Sequence, residues 1–315
     1  MPLEPVDCWF LTGPTASGKT AVGLALARLL DAEIISMDSM ALYRGMDVGT
    51  AKATADERRA APHHLIDVVD PDADYSLAQY VSAARAAVEE VQGRGRPALF
   101  VGGTPLYLKS LLRGIFVGPA ADWDLRRRLA EQAQAEAPNW LHARLAEIDP
   151  ASARRLHPRD TRRLIRAIEV YEKTGQPISR LQGQFDVARP ADACRVFLLD
   201  WPRAQLLARI DARVDAMFAA GLVEEVRGLL DWKKVLSRTA GQAVGYREVI
   251  DHLAGRRSRD ETIALVKTRT RQFAKRQLTW FRSLSECRPL AVGDAFEAAR
   301  IAQTIAIAGA APRSE

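Results

Sequence analysis

Three groups of residues have the types and spacing to do chemistry. The first is Gly13-Pro-Thr-Ala-Ser-Gly18-Lys19-Thr20, which satisfies G-x-x-x-x-G-K-[ST]. Glycine lets such a loop turn so that several amides point inward, and a helix starting there adds its positive end; both favour phosphate oxygens. Lys19 would reach an outer phosphate and the Thr20 hydroxyl would ligate Mg2+, with Gly13, Thr15, Ala16, Ser17 and Gly18 forming the cradle. The loop specifies a phosphate without saying which one. An ATP-dependent kinase usually adds a strand-terminal acid for the metal and a lid of arginines.

The second group is Asp38-Ser39, where the apolar run Ile34-Ile35 stops at Ser36. A carboxylate at a strand's carboxyl end can act as a general base if a substrate proton comes within reach. The same aspartate could cap a turn or a helix, but its place beside a phosphate loop favours chemistry. The third group is basic. On a helix advancing about 100° per residue, Lys267, Arg271, Lys275 and Arg282 share one side while Val266, Phe273, Trp280 and Leu284 share the other. This predicts one packed face and one basic stripe suited to nucleic-acid phosphates. "RRLHPRDTRRLIRAIE" offers a second basic surface, on which Arg163 and Arg166 share a helix face.

These groups need elements to hold them. "CWFLTG", "AEIISMD", "PALFVGG" and "CRVFLLD" read as strands, and helices are expected over Lys19–Leu30 and Leu77–Gln92. The alternation predicts an α/β fold, a parallel sheet flanked by helices, with ligands at the strands' carboxyl ends. From Leu125 to Thr174 the spacing is helical with no strand-like run. The expected plan is therefore a core in two parts, 1–121 and 183–290, around an all-helical insertion over 122–182, then a C-terminal helix and tail over 291–315. "GQFDVARPADA" reads as the link back to the core, and "APRSE" at the end as lacking fixed structure.

Lys plus Arg outnumber Asp plus Glu by 45 to 39, so only clustering of the basic residues matters for partners. Three distant cysteines without a CxxC pair suggest neither zinc nor a disulfide framework, and His63-His64, without a metal-binding pattern around it, reads as structural. An acid and two prolines in "MPLEPVDCWFL" do not suit a signal peptide, and no run reaches membrane-spanning length. A cytoplasmic protein without membrane contact is expected.

"GPTASGKT", "DSMALYRGMDVGTAK", "APHHLID", "VGGTPLYLKSLLRG", "HPRDTRRLIRAIEVYEKTG", "AVGYRE" and "RQFAKRQLTWFR", in this order and spacing, resemble the tRNA dimethylallyltransferases, or tRNA isopentenyltransferases, from Phe10 to about Leu284. The resemblance implies a P-loop NTPase-like core whose loop grips the diphosphate of dimethylallyl diphosphate with Mg2+. The prenyl group would pass to N6 of adenosine 37 beside the anticodon. It implies Asp38 as general base, Thr104 and Arg126 near the reacting centre, and Arg213 as a further positive charge on the leaving group. It places the anticodon stem-loop against Asp38, Ser39, Met40, Ala41, Arg162, Arg163, Arg166, Gln242, Gly245, Tyr246, Arg247, Lys275, Arg276, Gln277, Trp280 and Arg282. Many members carry Gln where this sequence has Ala41, and some a basic residue where it has Gln242. The target base would flip into a channel, and an RNA-clasping enzyme of this kind needs no partner chain, so a monomer is expected.

Plainer readings stand beside these. Thr104 could cap a helix starting at Pro105, Arg126 is one of three consecutive arginines, and Arg213 could be a solvated helix arginine. Three other functions compete: a prenyltransferase acting on free adenine nucleotides, a small-molecule kinase, and a non-catalytic RNA-binding module. The helical insertion and basic helix disfavour the first, and Asp38 with the phosphate loop disfavours the last.

Overall fold

The computed structural model describes residues 8–116, 118–183, 188–233, 235–293 and 296–310. The chain forms two compact units, one of them Arg113–Val187 and the other assembled from the segments on either side. The helical unit is wider at both ends than the expected 122–182. "APRSE", the start of the chain and part of "GQFDVARPADA" lie outside the described residues.

The larger unit is built on six parallel strands: β1 (Cys8–Thr12), β2 (Glu33–Ser36), β3 (His63–His64), β4 (Ala98–Gly102), β5 (Val196–Asp200) and β6 (Cys287–Ala291). Their order across the sheet is β3-β2-β4-β1-β5-β6. The apolar runs read from the sequence are β1, β2, β4 and β5, buried almost throughout because helices cover both faces. The two strands the sequence reading lacks are the sheet edges. β3 is two histidines long, and β6 reads Cys-Arg-Pro-Leu-Ala, with a charge and a proline that an edge tolerates.

Parallel strands gather their carboxyl ends on one side of the sheet. Register fixes who meets there: Thr12 of β1 lies opposite Gly102 of β4, and Ser36 of β2 opposite Val101. The stretches that follow, Gly13–Thr20, Met37-Asp38 and Gly103-Thr104, are therefore neighbours. The Thr12 hydroxyl donates to the Gly102 carbonyl at 2.9 Å, and the Met37 amide to the Val101 carbonyl at 2.9 Å.

The helix Lys19–Leu30 follows the loop without a linker. Gly18 turns the chain into it at φ +84°, where a side chain is strained and where a Cβ would also come within 2.5 Å of the Phe296 ring. Val22, Leu26 and Ala27 give the helix a buried side, which joins the core of Trp9, Leu11, Leu199, Ile210 and Ile305. A second core of Tyr43, Met46, Val214, Phe218, Leu222, Tyr246 and Val266 anchors the segment after β2 to the helices Arg203–Ala219, Leu222–Lys233, Tyr246–Leu253 and Arg259–Arg282.

The helical unit has a core of its own, including Leu125, Leu129, Leu141, Leu145, Leu164 and Ile168. Its helix Thr161–Thr174 is stopped at one end by the Asp160 side chain, which accepts the Arg163 amide, and at the other by Gly175 in a left-handed conformation. No described helix is long and apolar enough to cross a membrane.

Close approach at the carboxyl ends of β2 and β4 leaves no room for a Cβ on Gly102, which would overlap the Met37 carbonyl. Gly102→Ala is expected to cost about 2–4 kcal/mol. Gly93→Ala, where nothing lies within 4 Å of the added carbon, should be neutral or slightly stabilising. Denaturant midpoints of the two variants check both.

Candidate active site

An anion cradle needs amides that face inward, and here neighbouring side chains hold the loop's carbonyls. Arg209 Nε donates to the Ala16 carbonyl at 2.9 Å and Trp201 Nε1 to the Ser17 carbonyl at 2.9 Å. The Arg209 guanidinium is in turn held 4.3 Å from the Trp201 ring centroid and 5.1 Å from that of Phe296. Lys19 Nζ donates to the Pro14 carbonyl at 2.8 Å. The Ser17 hydroxyl is buried with no partner, a polar atom that a bound anion would satisfy. Ala16, Gly18, Arg209, Ala212 and Arg213 line a cavity of about 340 Å³ beside the loop.

Thr15 differs from expectation. Its amide donates to Gln277 Oε1 at 2.9 Å and is not available to a phosphate. The same Gln277 side chain donates through Nε2 to the Gly103 carbonyl at 2.6 Å. Gln277 is 4 % exposed. Expected to face RNA, it instead ties the phosphate loop to the end of β4.

Positive charge is concentrated here. Burial first, and then the Arg213 charge, lower the Lys19 ammonium to about 7 against the opposing effect of Asp38. Burial likewise lowers Arg213 below its usual value, again opposed by Asp38. Arg213 Nη2 donates to the Thr50 carbonyl at 3.1 Å, while its Nε is buried without a partner. The reading of Arg213 as a solvated helix arginine is therefore set aside.

Asp38 is partly buried, and its Oδ1 accepts the Met40 amide at 2.8 Å. No described hydrogen bond engages Oδ2. Thr104 does not cap the following helix with its hydroxyl, which accepts the Ser39 amide at 3.1 Å, while its own amide donates to the Met37 carbonyl at 3.2 Å. Thr104 thus pins the Met37–Ser39 stretch from both sides and fixes where the carboxylate sits.

No cluster of three or more His, Cys, Asp or Glu capable of holding a metal occurs among the described residues. Thr20, in the first turn of the helix Lys19–Leu30, supplies one hydroxyl. That donor set fits Mg2+, which retains waters and binds through phosphate oxygens with one or two protein ligands. It would not fit zinc. His63 and His64 are engaged by protein: His63 Nδ1 lies 2.7 Å from the Ala61 carbonyl and His64 Nε2 2.7 Å from Glu33 Oε2.

The residues expected against RNA divide by exposure. Arg247, Lys275, Arg276, Trp280 and Arg282 are exposed, as is Gln242; Ser39 and Met40 are partly buried. Tyr246, however, is 0 % exposed, with its hydroxyl donating to Glu225 Oε1 at 2.6 Å, and Ala41 and Gly245 are buried. The expected division of the helix Arg259–Arg282 also changes. Its buried side is Thr262, Val266, Ala274, Gln277 and Phe281, whereas Phe273 and Trp280 are 38 % and 40 % exposed. Three residues of the supposed basic stripe are paired with acids: Lys267 with Asp215, Arg271 with Asp211 and Arg282 with Asp200. The exposed face toward the helix end is instead mixed, with Phe273, Arg276 and Trp280 at i, i+3 and i+7.

In the helical unit, Arg126 makes a two-pronged pair with Glu169, Nε at 2.9 Å and Nη2 at 2.8 Å. Arg166 and the Asp122 amide bond the same buried carboxylate. Burial alone would raise the Glu169 carboxyl; these donors outweigh it and hold it below the ordinary range. Arg163 pairs with Asp160 yet stays largely exposed, and Arg162 is exposed.

With this geometry in place, comparison with known proteins is decisive. The family model described as IPP transferase matches residues 41–284. The chain belongs to the IPP transferase family. A tRNA dimethylallyltransferase of Pelotomaculum thermopropionicum is 47 % identical over 297 residues, 94 % of each chain. One from Symbiobacterium thermophilum is 50 % identical over 274 residues, covering 86 % of this chain and 85 % of that one. Among solved structures, the full-length tRNA isopentenylpyrophosphate transferase from Bacillus halodurans aligns with a TM-score of 0.68 at 36 % identity, over 96 % of this chain and 97 % of that one. A eukaryotic dimethylallyltransferase acting on tRNA aligns with a TM-score of 0.74 at 26 % identity, over 91 % and 74 % of the two chains.

In this member of the IPP transferase family, sequence reasoning missed three residues that shape the loop from outside, Arg209, Trp201 and Phe296, and assigned a fourth, Gln277, to RNA. The three are far from the loop in sequence and carry no motif of their own, so no local pattern could have found them.

The lowered Lys19 sets a pH dependence. A diphosphate favours the charged amine, which in the free site is fully protonated only well below about 7 and half protonated near it, so that binding above that pH must take up a proton. Lys19→Gln is uncharged throughout and serves as the reference for the ligand's own titration. The advantage of the native protein over Lys19→Gln in pyrophosphate affinity should shrink by up to about tenfold per pH unit above 7. Calorimetry between pH 6 and 8.5 checks this; a constant ratio would contradict it.

Proposed function

We propose that this enzyme transfers a dimethylallyl group from dimethylallyl diphosphate to N6 of adenosine 37 in tRNA, giving N6-(dimethylallyl)adenosine and diphosphate. The observation that carries the reading is the meeting, at the carboxyl ends of the inner strands, of an anion cradle with Asp38, a carboxylate with an unengaged oxygen. The relatives named tRNA dimethylallyltransferase over nearly the whole chain support the reaction and the RNA substrate.

The chemistry follows from what each group can stabilise. The N6 lone pair forms a bond to the first allylic carbon as the carbon–oxygen bond to diphosphate breaks, and the oxygen keeps that electron pair. Negative charge grows on the departing group, where Lys19, Arg213 Nε, the Ser17 hydroxyl and the amides of Ala16 and Gly18 would receive it, the Ser17 amide donating instead to the Pro14 carbonyl. Bound Mg2+, held by Thr20 and the diphosphate, would add charge neutralisation at the same oxygens. The adenine amine sheds a proton as it is alkylated, and Asp38 Oδ2 accepts it. Thr104 keeps that carboxylate in place through Ser39 and Met37.

RNA contact falls to the exposed groups. Arg247, Lys275 and Arg276 would meet phosphates of the anticodon stem-loop, and Trp280 with Phe273 offers ring faces for unstacked bases. On the helical unit, taken by itself, exposed Arg162 and Arg163 offer charge for RNA phosphates. The reading includes a monomer working in the cytoplasm.

The test is incubation of the protein with Mg2+, labelled dimethylallyl diphosphate and either unmodified tRNA or AMP, followed by digestion and identification of the labelled nucleoside. Label is expected on adenosine 37 of tRNA and not on AMP; the reverse would refute the reading. Asp38→Asn should lower transfer by about 100-fold to 10,000-fold with tRNA affinity nearly intact. An active variant would remove Asp38 from the base role.

A further inference from the structure

We propose that Glu225 and Tyr246 are positioning residues for Arg213, acting through the backbone of Asp47–Thr50. The inference rests on the reading of Arg213 as a group that faces the diphosphate.

The Glu225 carboxylate accepts four hydrogen bonds. Its Oε2 takes the amides of Asp47 at 2.9 Å and Val48 at 2.6 Å, and its Oε1 takes the Gly49 amide at 3.1 Å and the Tyr246 hydroxyl at 2.6 Å. Successive amides converging on one anion form a nest of the kind that binds phosphate. Here the chain fills the nest with its own carboxylate, which locks three consecutive peptides. Gly49 is required at the centre, because a Cβ there would come within 2.5 Å of the Tyr246 ring and 2.8 Å of Leu222. The Thr50 hydroxyl closes the turn on the Met46 carbonyl at 2.7 Å.

Two peptides further on is the Thr50 carbonyl, the single described hydrogen-bond acceptor of Arg213; the peptide that carries it is tied to the nest by the Ala51 amide, which donates to the Val48 carbonyl at 3.1 Å. A guanidinium is planar, so fixing Nη2 also fixes the direction of Nε, the buried nitrogen without a partner. A neutral carbonyl can orient Arg213 without cancelling its charge, but it does so only if the peptide carrying it cannot rotate. The Glu225 nest supplies that rigidity. Tyr246, buried within the "AVGYR" stretch that resemblance places at the RNA, thereby acts inward on the diphosphate side of the reaction.

The test is a double-mutant cycle on pyrophosphate affinity, measured by calorimetry for the native protein, Glu225→Gln, Arg213→Ala and the double variant. Glu225→Gln places amide hydrogens against donors and should weaken binding about tenfold. In the Arg213→Ala background it should add less than about twofold, because the group it positions is gone. Tyr246→Phe keeps the ring and loses one of the four bonds, so it should give a smaller loss that also vanishes without Arg213. It decides the matter if Glu225→Gln lowers the melting temperature sharply. Turnover at saturating dimethylallyl diphosphate should fall in both variants while the KM for tRNA stays unchanged. Additive losses, or a raised tRNA KM with pyrophosphate affinity intact, would overturn the inference. A coupled cycle in a protein whose native form transfers nothing to tRNA would uphold it and refute the proposed function instead.

Discussion

Lys19 and Arg213 are two partly buried cations close enough to repel, with Asp38 as the carboxylate that opposes their repulsion. Removing such charges from water costs several kcal/mol each unless something answers them. Elsewhere in the molecule arginines are answered by carboxylates: Arg126 and Arg166 share Glu169, and Arg94 pairs with Glu33. At the phosphate loop they are answered by peptide carbonyls, Pro14 for the lysine and Thr50 for the arginine. A carbonyl fixes direction and leaves the net charge in place, so the field remains available to an anionic ligand. Much of the surrounding architecture serves to keep those carbonyls still.

The helix Arg259–Arg282 links the two halves of the task. Through Gln277 it reaches inward and joins the loop after β1 to the loop after β4, so the anion cradle and the stretch holding Asp38 are referenced to the same side chain. Its other face carries Phe273, Arg276 and Trp280 into solvent. A displacement of this helix would be felt at the cradle and at the exposed face together.

What the sequence made legible follows from the range of the forces involved. The phosphate loop, the inner strands and the helix after the loop are local patterns of glycine and buried apolar residues, and they could be read directly. The edge strands β3 and β6 could not, since an edge relaxes the demand for continuous apolar residues. The faces of Arg259–Arg282 were misread because acids on another helix and at the end of β5, Asp211, Asp215 and Asp200, take up charges that a helical wheel shows as unpaired. Its packing surface also uses Thr262, Ala274 and Gln277 where large apolar side chains were expected. Gln277 and Tyr246 bonded groups distant in sequence, which spacing cannot reveal. Resemblance identified the stretches that contain them but not the direction in which they point.

Arg209, Trp201 and Phe296, which brace the phosphate loop, have a consequence for how the protein is made. Residues 13 to 20 emerge from the ribosome early, while the side chains that hold them in shape arrive only after residue 201, residue 277 and finally residue 296. Through most of synthesis the glycine loop is a tether without its braces, and the cations beside it have neither a fixed carbonyl nor a ligand. A segment made first is thus among the last parts of the molecule to have its shape fixed by its neighbours.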